Sequence, residues 1–147
     1  MRGRDRFEIE RAQCVDRLRN DALVVAGEME SEPVIRKMLL DDATVPLPSG
    51  TYARYFLLVA RDPATREIRG VRDGRVLVNP AYGPDLCVVY LSHIFMLPEA
   101  RGTVLTYWLR IAPIDLAVSY LHALHQKGRI VLPEPDDPGK YFGMRVD

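Results

Sequence analysis

A nearly continuous apolar run between Leu86 and Leu97 limits the possible folds more than any other segment of the chain. The run is rich in valine, leucine and aromatic side chains, which are typical of strands. Because few polar residues interrupt it, it predicts a central strand that is covered on both faces. Pro98 and Gly102 follow the run, and apolar residues recur at helical spacing from Thr103. The segment therefore predicts a buried strand, a tight turn and a long helix.

The periodicity of the remaining chain predicts an α/β (α+β) fold in a single domain, residues 1–147. We expect a mixed, mostly antiparallel central sheet that is flanked by helices. Asp73-Gly74 predicts either a hairpin turn or a bulge inside one long strand. Further strands are predicted at residues 7–10, 52–60, 68–78, 130–132 and 141–146, and helices at 15–29, from 33 onward and at 103–128.

Single residues add detail to the two later helices. Trp108 lies on the apolar stripe of the long helix, so we expect it in the core. Pro113 is expected to kink that helix or to split it in two. Gly128 is expected to end the helix with a left-handed backbone conformation. In the preceding helix, the residues expected to face inward are Ile35, Met38 and Leu39.

Composition and charge argue against several classes of protein. Hydrophobic residues make up 48% of the chain, which is enough for a folded core. The formal net charge is zero, which argues against nucleic-acid binding, because phosphate neutralisation requires excess lysine and arginine. No apolar run reaches the ~20 residues of a membrane span, so no membrane partner is expected. The charged segment 1–10 lacks the apolar region of a signal peptide.

Cysteines and charged neighbours point to an ordinary intracellular domain. Cys14 and Cys87 form no disulfide or metal motif, which favours a reducing cytoplasm. Cys87 lies in the apolar run and is expected to be a small buried hydrophobe. Several arginines adjoin acids, and we expect pairs such as Arg72-Asp73 to be solvated at the surface.

The turn between the predicted buried strand and the long helix is the most informative segment for function. The first N–H groups of a helix have no internal partner, and the helix dipole adds positive charge there. An anion such as pyrophosphate is a natural guest for such a site. An ordinary strand-turn-helix connection has the same geometry, so the geometry alone does not decide between the two.

The residues from Met96 to Gly102 resemble the cofactor motif of the GNAT superfamily of N-acyltransferases. That motif is a strand that ends apolar-x-Pro, then two residues, then an Arg/Gln-x-x-Gly-x-Gly/Ala turn into a helix. The resemblance implies a GNAT-like fold that binds acetyl-CoA or another acyl-CoA and acylates a small-molecule or protein amine. It implies pantetheine contacts by Phe95, Met96 and Leu97. It also implies that the pyrophosphate is wrapped by Arg101, Gly102, Thr103, Val104, Leu105 and Thr106.

Val104 and Thr106 depart from the family, which usually has two small residues at these positions. Glycine allows the backbone to approach a phosphate closely, whereas valine is stiff and branched. Two alternatives therefore stay open: a catalytically silent GNAT-like domain that binds a ligand or partner, and an acyltransferase that uses an acyl-carrier protein. Leu18-Arg19 and Glu28 faintly resemble acyl-homoserine-lactone synthases, which favours the second. The resemblance also implies that later strands are missing, and a homodimer is kept open.

A general base is the next requirement of acyl transfer to an amine. Bases in the family often lie six or four residues before the apolar residue of apolar-x-Pro, which gives Tyr90 and Ser92. Neither is a good base at neutral pH. His93 is a better base, but strand parity directs it to the opposite face, where it is expected to be packed and hydrogen-bonded. A β-bulge between His93 and Met96 would be needed to turn it towards the site.

Other polar residues are less informative. His122 and His125 have a spacing that could bind a metal, but no third ligand is apparent and a solvated helix end is expected. Acidic residues after the first helix could bind a cationic amine, although an exposed acidic turn explains them as well. They are Glu28, Glu30 and Glu32.

Overall fold

The computed structural model describes residues 8–11, 30–83 and 86–132. Four strands form one sheet in the order β1-β2-β3-β4: β1 (Glu8–Arg11), β2 (Tyr52–Arg61), β3 (Ile68–Val78) and β4 (Cys87–Met96). Every pairing between these strands is antiparallel. The helices are α1 (Glu32–Leu40) and α2 (Leu105–Gln126), and a short 3-10 turn (Pro98–Ala100) joins β4 to the segment that leads into α2. The fold is therefore α+β, with an antiparallel sheet in place of the expected mixed one among the described strands.

The two helices cover opposite faces of the sheet. Ile35 of α1 is buried against β2 and β3 in a cluster with Tyr55, Leu57, Val59, Ile68 and Val71, and Met38 and Leu39 pack against it. This confirms the three inward positions predicted for α1. On the other face α2 packs in a larger cluster that includes Phe56, Leu58, Met96, Leu105, Leu109, Tyr120 and Leu124. We call these two sides the α1 face and the α2 face.

Left-handed glycines stand at both ends of the long helix. Gly102 has φ +72° in the turn before α2, and Gly128 has φ +66° after its last turn. The amides of Gly128 and Arg129 donate to the carbonyls of His125 and Leu124, which closes the helix as predicted. Pro113 lies buried inside α2 and does not split it.

The position of β4 corrects the prediction of a central strand. Among the described strands β4 is at the end of the sheet, and its residues alternate between half-buried and exposed up to Phe95. Val88 and Tyr90 are more than half exposed. A run of apolar residues therefore need not be buried on both faces, because valine and aromatic side chains also suit an outer strand.

Three other predictions have clear outcomes. Trp108 is 46% exposed and stacks edge-on against Tyr107, so its expected place in the core was wrong. Residues 130–132 form no strand, although Ile130 is buried. Asp73-Gly74 forms no hairpin turn and lies inside one long strand beside a bulge, as the second alternative predicted, although the extra residue of the bulge is in β4. The helix predicted at 15–29, the strand predicted at 141–146, Cys14, Leu18, Arg19 and Glu28 lie outside the described residues.

Neither helix in the described ranges combines the length and the apolar character needed to cross a bilayer.

Candidate functional site

A β-bulge in β4 creates the most polar cluster of the sheet. Leu91 pairs with Gly74 and Ile94 pairs with Arg72, so two residues of β4 stand opposite the single residue Asp73. These two residues are Ser92 and His93. A bulge of this kind shifts the side chains beyond it by one position and so exchanges their faces.

Asp73 is the centre of this cluster on the α1 face. It is only 4% exposed, yet both carboxylate oxygens are hydrogen-bonded. Oδ2 accepts from the Tyr55 hydroxyl at 2.9 Å. Oδ1 accepts from the backbone N–H of His93 at 2.8 Å and lies 3.0 Å from Nδ1 of the same residue. Both carboxylate oxygens thus have the hydrogen-bond donors that a buried carboxylate requires.

The contact between Asp73 and His93 determines what the imidazole can do. A carboxylate only accepts hydrogen bonds, so Nδ1 must carry the proton that is shared with Oδ1. In the neutral ring Nε2 is then an acceptor. The His93 side chain is 43% exposed, whereas the Asp73 side chain is 5% exposed. A buried carboxylate therefore orients a solvent-accessible imidazole, an arrangement that suits a general base.

Tyr55 supports the carboxylate from the β2 side. Burial, followed by the negative charge of Asp73 and the hydrogen bond to it, raises the pKa of Tyr55 above its ordinary value. The phenol therefore stays protonated and donates to Oδ2 throughout the neutral range. This fixes Asp73 between a permanent donor and the imidazole of His93.

Gly74 makes the bulge possible. A Cβ at this position would lie 2.2 Å from the carbonyl oxygen of Tyr90 and 2.6 Å from Cζ of Phe56. Real side chains do not approach backbone atoms so closely. Only glycine allows β4 to come this near to β3 beside Asp73, so the position of His93 depends on it.

The bulge also places Tyr90 and Met96 on different faces of the sheet, although a regular strand would put them on the same face. Tyr90 pairs with Arg75, whose guanidinium contacts Met38 of α1, so Tyr90 lies on the α1 face and is 59% exposed. Met96 is buried on the α2 face. Tyr90 and Met96 therefore do not share a face, because the extra residue in β4 exchanges the faces between them. His93 is hydrogen-bonded, as expected, and lies on the face opposite Met96.

The residues predicted to meet pantetheine are spread over both faces. Phe95 and Leu97 pack partly buried on the α1 face, and Met96 packs on the α2 face. The N–H of Leu97 donates to the carbonyl of Arg69 in β3 at 3.0 Å. That amide is therefore already hydrogen-bonded, whereas the free edge of β4 remains available along the described sheet.

The segment before α2 carries unpaired backbone donors. Within the described ranges, no hydrogen bond engages the amides of Gly102, Thr103 and Val104. The Thr103 hydroxyl donates to the carbonyl of Ala100 at 2.6 Å and accepts from the amide of Leu105 at 3.3 Å. Nε of Arg101 donates to the carbonyl of Met96 at 3.3 Å, which folds the exposed arginine back over the end of β4.

The two residues that depart from the GNAT pattern are both half-buried. The Thr106 hydroxyl lies 3.5 Å from the sulfur of Met96 and so is directed towards the sheet. It is therefore not positioned to offer a hydroxyl to a phosphate at the helix end. Val104 has helical backbone angles and occupies the cap position of α2.

Arg72 precedes Asp73 in the chain but lies on the other face, since successive strand residues alternate. It pairs with Leu58 and Ile94, and Leu58 belongs to the core under α2. Arg72 is 9% exposed, so the expected solvated pair with Asp73 was wrong. Its Nε is buried and has no hydrogen-bond partner in the described structure. The sequence analysis did not identify Tyr55, Arg72 and Asp73 as site residues. The adjacent charges of Arg72 and Asp73, which lie between valines of a predicted strand, could have indicated them.

The remaining candidates do not form a site. Nδ1 of His125 accepts from the amide of Leu132 at 3.2 Å, and His122 is exposed. No group of three metal-ligating side chains occurs in the described ranges. Glu30 is exposed, and Glu32 pairs with Arg36 at 2.9 Å along α1. Cys87 is half-buried, and burial raises the pKa of its thiol.

No family model matches the chain, and neither a curated protein nor a solved structure matches it.

Proposed function

We propose that this protein transfers an acyl group, such as acetyl, from acyl-CoA to the nitrogen of a small-molecule or protein amine. The observation that carries the proposal is the set of unpaired amides of Gly102, Thr103 and Val104 at the start of a 22-residue helix. They follow a strand that ends Met96-Leu97-Pro98, the sequence that resembles the GNAT motif. Unpaired donors at the positive end of a long helix suit a pyrophosphate.

His93 supplies the base that this reaction needs. The acceptor amine must lose a proton before its lone pair can attack the thioester carbonyl carbon. Nε2 of His93 takes that proton, and Asp73 stabilises the resulting imidazolium through Nδ1. The carbon–sulfur bond then breaks, and the departing thiolate takes up a proton. Tyr90 and Ser92, the other two candidates, are exposed side chains, and no side chain in the described part of the chain is placed to make them basic.

Access to the site is compatible with this role. His93 is three residues before Met96, which is about 10 Å along a strand. β4 is the outer strand of the described sheet, so a ligand along its edge can be reached from both faces. A thioester held at the edge is therefore accessible to a base on the α1 face, even though Met96 lies on the other face.

Two experiments test the proposal. Isothermal titration with acetyl-CoA should show binding, and Arg101→Glu should abolish it, because the new carboxylate repels phosphate at the helix end. Arg129→Glu is the matched control, since Arg129 is an exposed arginine at the opposite end of α2. A folded protein that releases no heat with acetyl-CoA would overturn the proposal.

Catalysis is tested with a thiol-release assay over a panel of amines. His93→Gln should lower kcat about 10²-fold or more, as expected for loss of a general base. If His93→Gln retains full activity, the role of His93 as base is wrong.

A second candidate function is a GNAT-like domain that binds CoA or a partner without turnover. The inward direction of the Thr106 hydroxyl and the valine at position 104 favour it, because both leave the phosphate site with fewer contacts. Val104→Gly should tighten acetyl-CoA binding if the branched side chain crowds the phosphates. Binding without thiol release from any amine would favour this alternative. An acyl-carrier-protein donor would show as thiol release from acyl-carrier protein alone.

A further inference from the structure

Arg72 is a buried positive charge that the described protein leaves without an acceptor. It is 9% exposed, and its Nε has no hydrogen-bond partner. The guanidinium of arginine does not lose its proton in proteins, so it stays charged when it is buried. An unpaired buried charge is strongly destabilising, and buried charges in proteins are normally paired.

A second arginine, Arg110 of α2, lies near Arg72. Leu109 of α2 packs over Gly70, since its Cδ1 would be 3.2 Å from a Cβ at that position. Arg72 is two residues further along β3 on the same face, and Arg110 follows Leu109 in the helix. Desolvation, and then the charge of Arg110, lower the pKa of Arg72, whereas Asp73 raises it. The two arginines are thus close enough to repel each other.

Nothing in the described ranges neutralises this pair. No carboxylate there lies within ion-pair distance of Arg72 or Arg110. Asp73 is adjacent to Arg72 in the sequence, but it lies on the α1 face and its oxygens are used by Tyr55 and His93. Its charge offsets part of the repulsion without offering a hydrogen-bond acceptor.

The pair is accessible to a small ligand. Arg110 is exposed, and Ile94, which pairs with Arg72 on the outer strand, is 43% exposed. The neighbours of Arg72 on α2 and on β4 are therefore open to solvent. The planar donors of arginine match the oxygens of a carboxylate or a phosphate.

We propose that Arg72 and Arg110 bind one oxyanion group, a carboxylate or a phosphate, of a small ligand at the margin between α2 and β4. The anion accepts from the buried guanidinium and relieves the repulsion between the two arginines. Arg110 lies about 8 Å along the helix axis from the first residue of α2, as five residues at 1.5 Å predict. The site is therefore separate from the amides that precede α2, and the inference does not depend on acyl transfer.

Thermal unfolding of the full chain tests this inference. Inorganic phosphate, acetate and succinate are each titrated against sodium chloride at matched ionic strength, which controls for screening. A specific anion should raise Tm in a saturable manner, since it binds only the folded state. A rise with phosphate but not with the carboxylates identifies a phosphate site, and the reverse identifies a carboxylate site.

Arg72→Met separates binding from a purely structural role. Without added anion, Tm should rise by about 2–4 °C, because an unpaired buried charge is replaced by an apolar side chain. The response to the anion should disappear, with affinity weakened about tenfold or more. Arg110→Met should also weaken the response.

Arg75→Gln is the matched control, because Arg75 lies on the same strand but is exposed on the α1 face. Its anion response should equal that of the wild type. No anion-specific rise in Tm for the wild type would overturn the inference. So would an undiminished response in Arg72→Met.

Discussion

The two faces of β3 each bury one of two adjacent charged residues, but only one of the two has hydrogen-bond partners. Asp73 is buried on the α1 face with both oxygens hydrogen-bonded to Tyr55 and His93. Arg72 is buried on the α2 face with an unpaired Nε. The two residues have similar exposure, so burial alone does not explain the contrast. What differs is whether the surrounding strands supply hydrogen-bond partners.

The difference corresponds to the two proposals made for this chain. On the α1 face the polar groups are already paired, so the geometry of His93 is set without a ligand. On the α2 face the charge of Arg72 has no acceptor in the described structure, so binding of the proposed anion would raise stability. The first arrangement suits proton transfer and the second suits recognition of an anion.

Removal of Asp73 should have the largest effect on this contrast. Asp73→Ala leaves the Tyr55 hydroxyl without its acceptor and frees the His93 ring, and it also removes the charge that offsets Arg72. We expect the free energy of unfolding to fall by about 3 kcal/mol. Urea denaturation measures this change. Asp115→Ala, at an exposed position of α2, is the control and should stay within about 0.5 kcal/mol of the wild type.

Substitution at the glycine beneath the bulge should have the next largest effect. Gly74→Ala places a Cβ 2.2 Å from the carbonyl oxygen of Tyr90, so β3 and β4 must separate. We expect a loss of about 2–3 kcal/mol, at the upper end of overpacking costs. Gly70→Ala is the control on the same strand, because its nearest contacts are 3.2 Å and its cost should be smaller. Equal losses for the two variants would contradict the structural importance of the bulge.

Alkaline pH should weaken both faces through their buried tyrosines. Burial raises the pKa of Tyr120 to about 12, with Arg54 opposing the shift. Burial and Asp73 raise the pKa of Tyr55 still further. The folded state binds these protons more tightly than the unfolded state, so their stabilisation is complete below the unfolded pKa of about 10 and is lost above it.

Phenylalanine variants isolate the contribution of each tyrosine to the alkaline loss. Ionisation of Tyr120 in the unfolded chain should cost on the order of 2 kcal/mol as pH rises through 12. Tyr120→Phe and Tyr55→Phe should each flatten this decline, and by similar amounts up to about pH 11, because both phenols stay protonated there in the folded state. Urea denaturation at about pH 8 and about pH 11 measures both slopes. A steeper decline in either variant than in the wild type would contradict the assignment.

The sequence predicts local structure better than it predicts faces. The strands at β2 and β3, the inward side of α1 and the glycine end of α2 follow from periodicity and backbone preferences. The outer position of β4 does not, because an apolar run is compatible with either a central or an outer strand. The prediction that Trp108 lies in the core was wrong for a related reason, because the apolar residues of α2 outnumber the positions that the sheet can cover.

The geometry of the candidate site could be predicted only in part from the sequence. Counting back from Met96 puts Tyr90 on the same face as Met96 only if β4 is regular, and the bulge opposite Asp73 breaks that count. The pairing of His93 with Asp73 joins residues 20 positions apart, so no local pattern predicts it. The turn into α2 could be predicted from the sequence, because Pro98 and Gly102 have strong local backbone preferences.

The smallest predicted effect concerns a polar group before α2 that, unlike Arg72, has hydrogen-bond partners within the described structure. The Thr103 hydroxyl donates to the carbonyl of Ala100 and accepts from the amide of Leu105. Thr103→Ala should cost about 1 kcal/mol, as the loss of a net hydrogen bond does. Thr103→Ser keeps the hydroxyl and should recover most of that stability. If serine fails to recover it, the methyl group of Thr103, and not its hydrogen bonds, stabilises the start of α2, and the contrast between paired and unpaired polar groups would then explain less of the stability than Arg72 and Asp73 suggest.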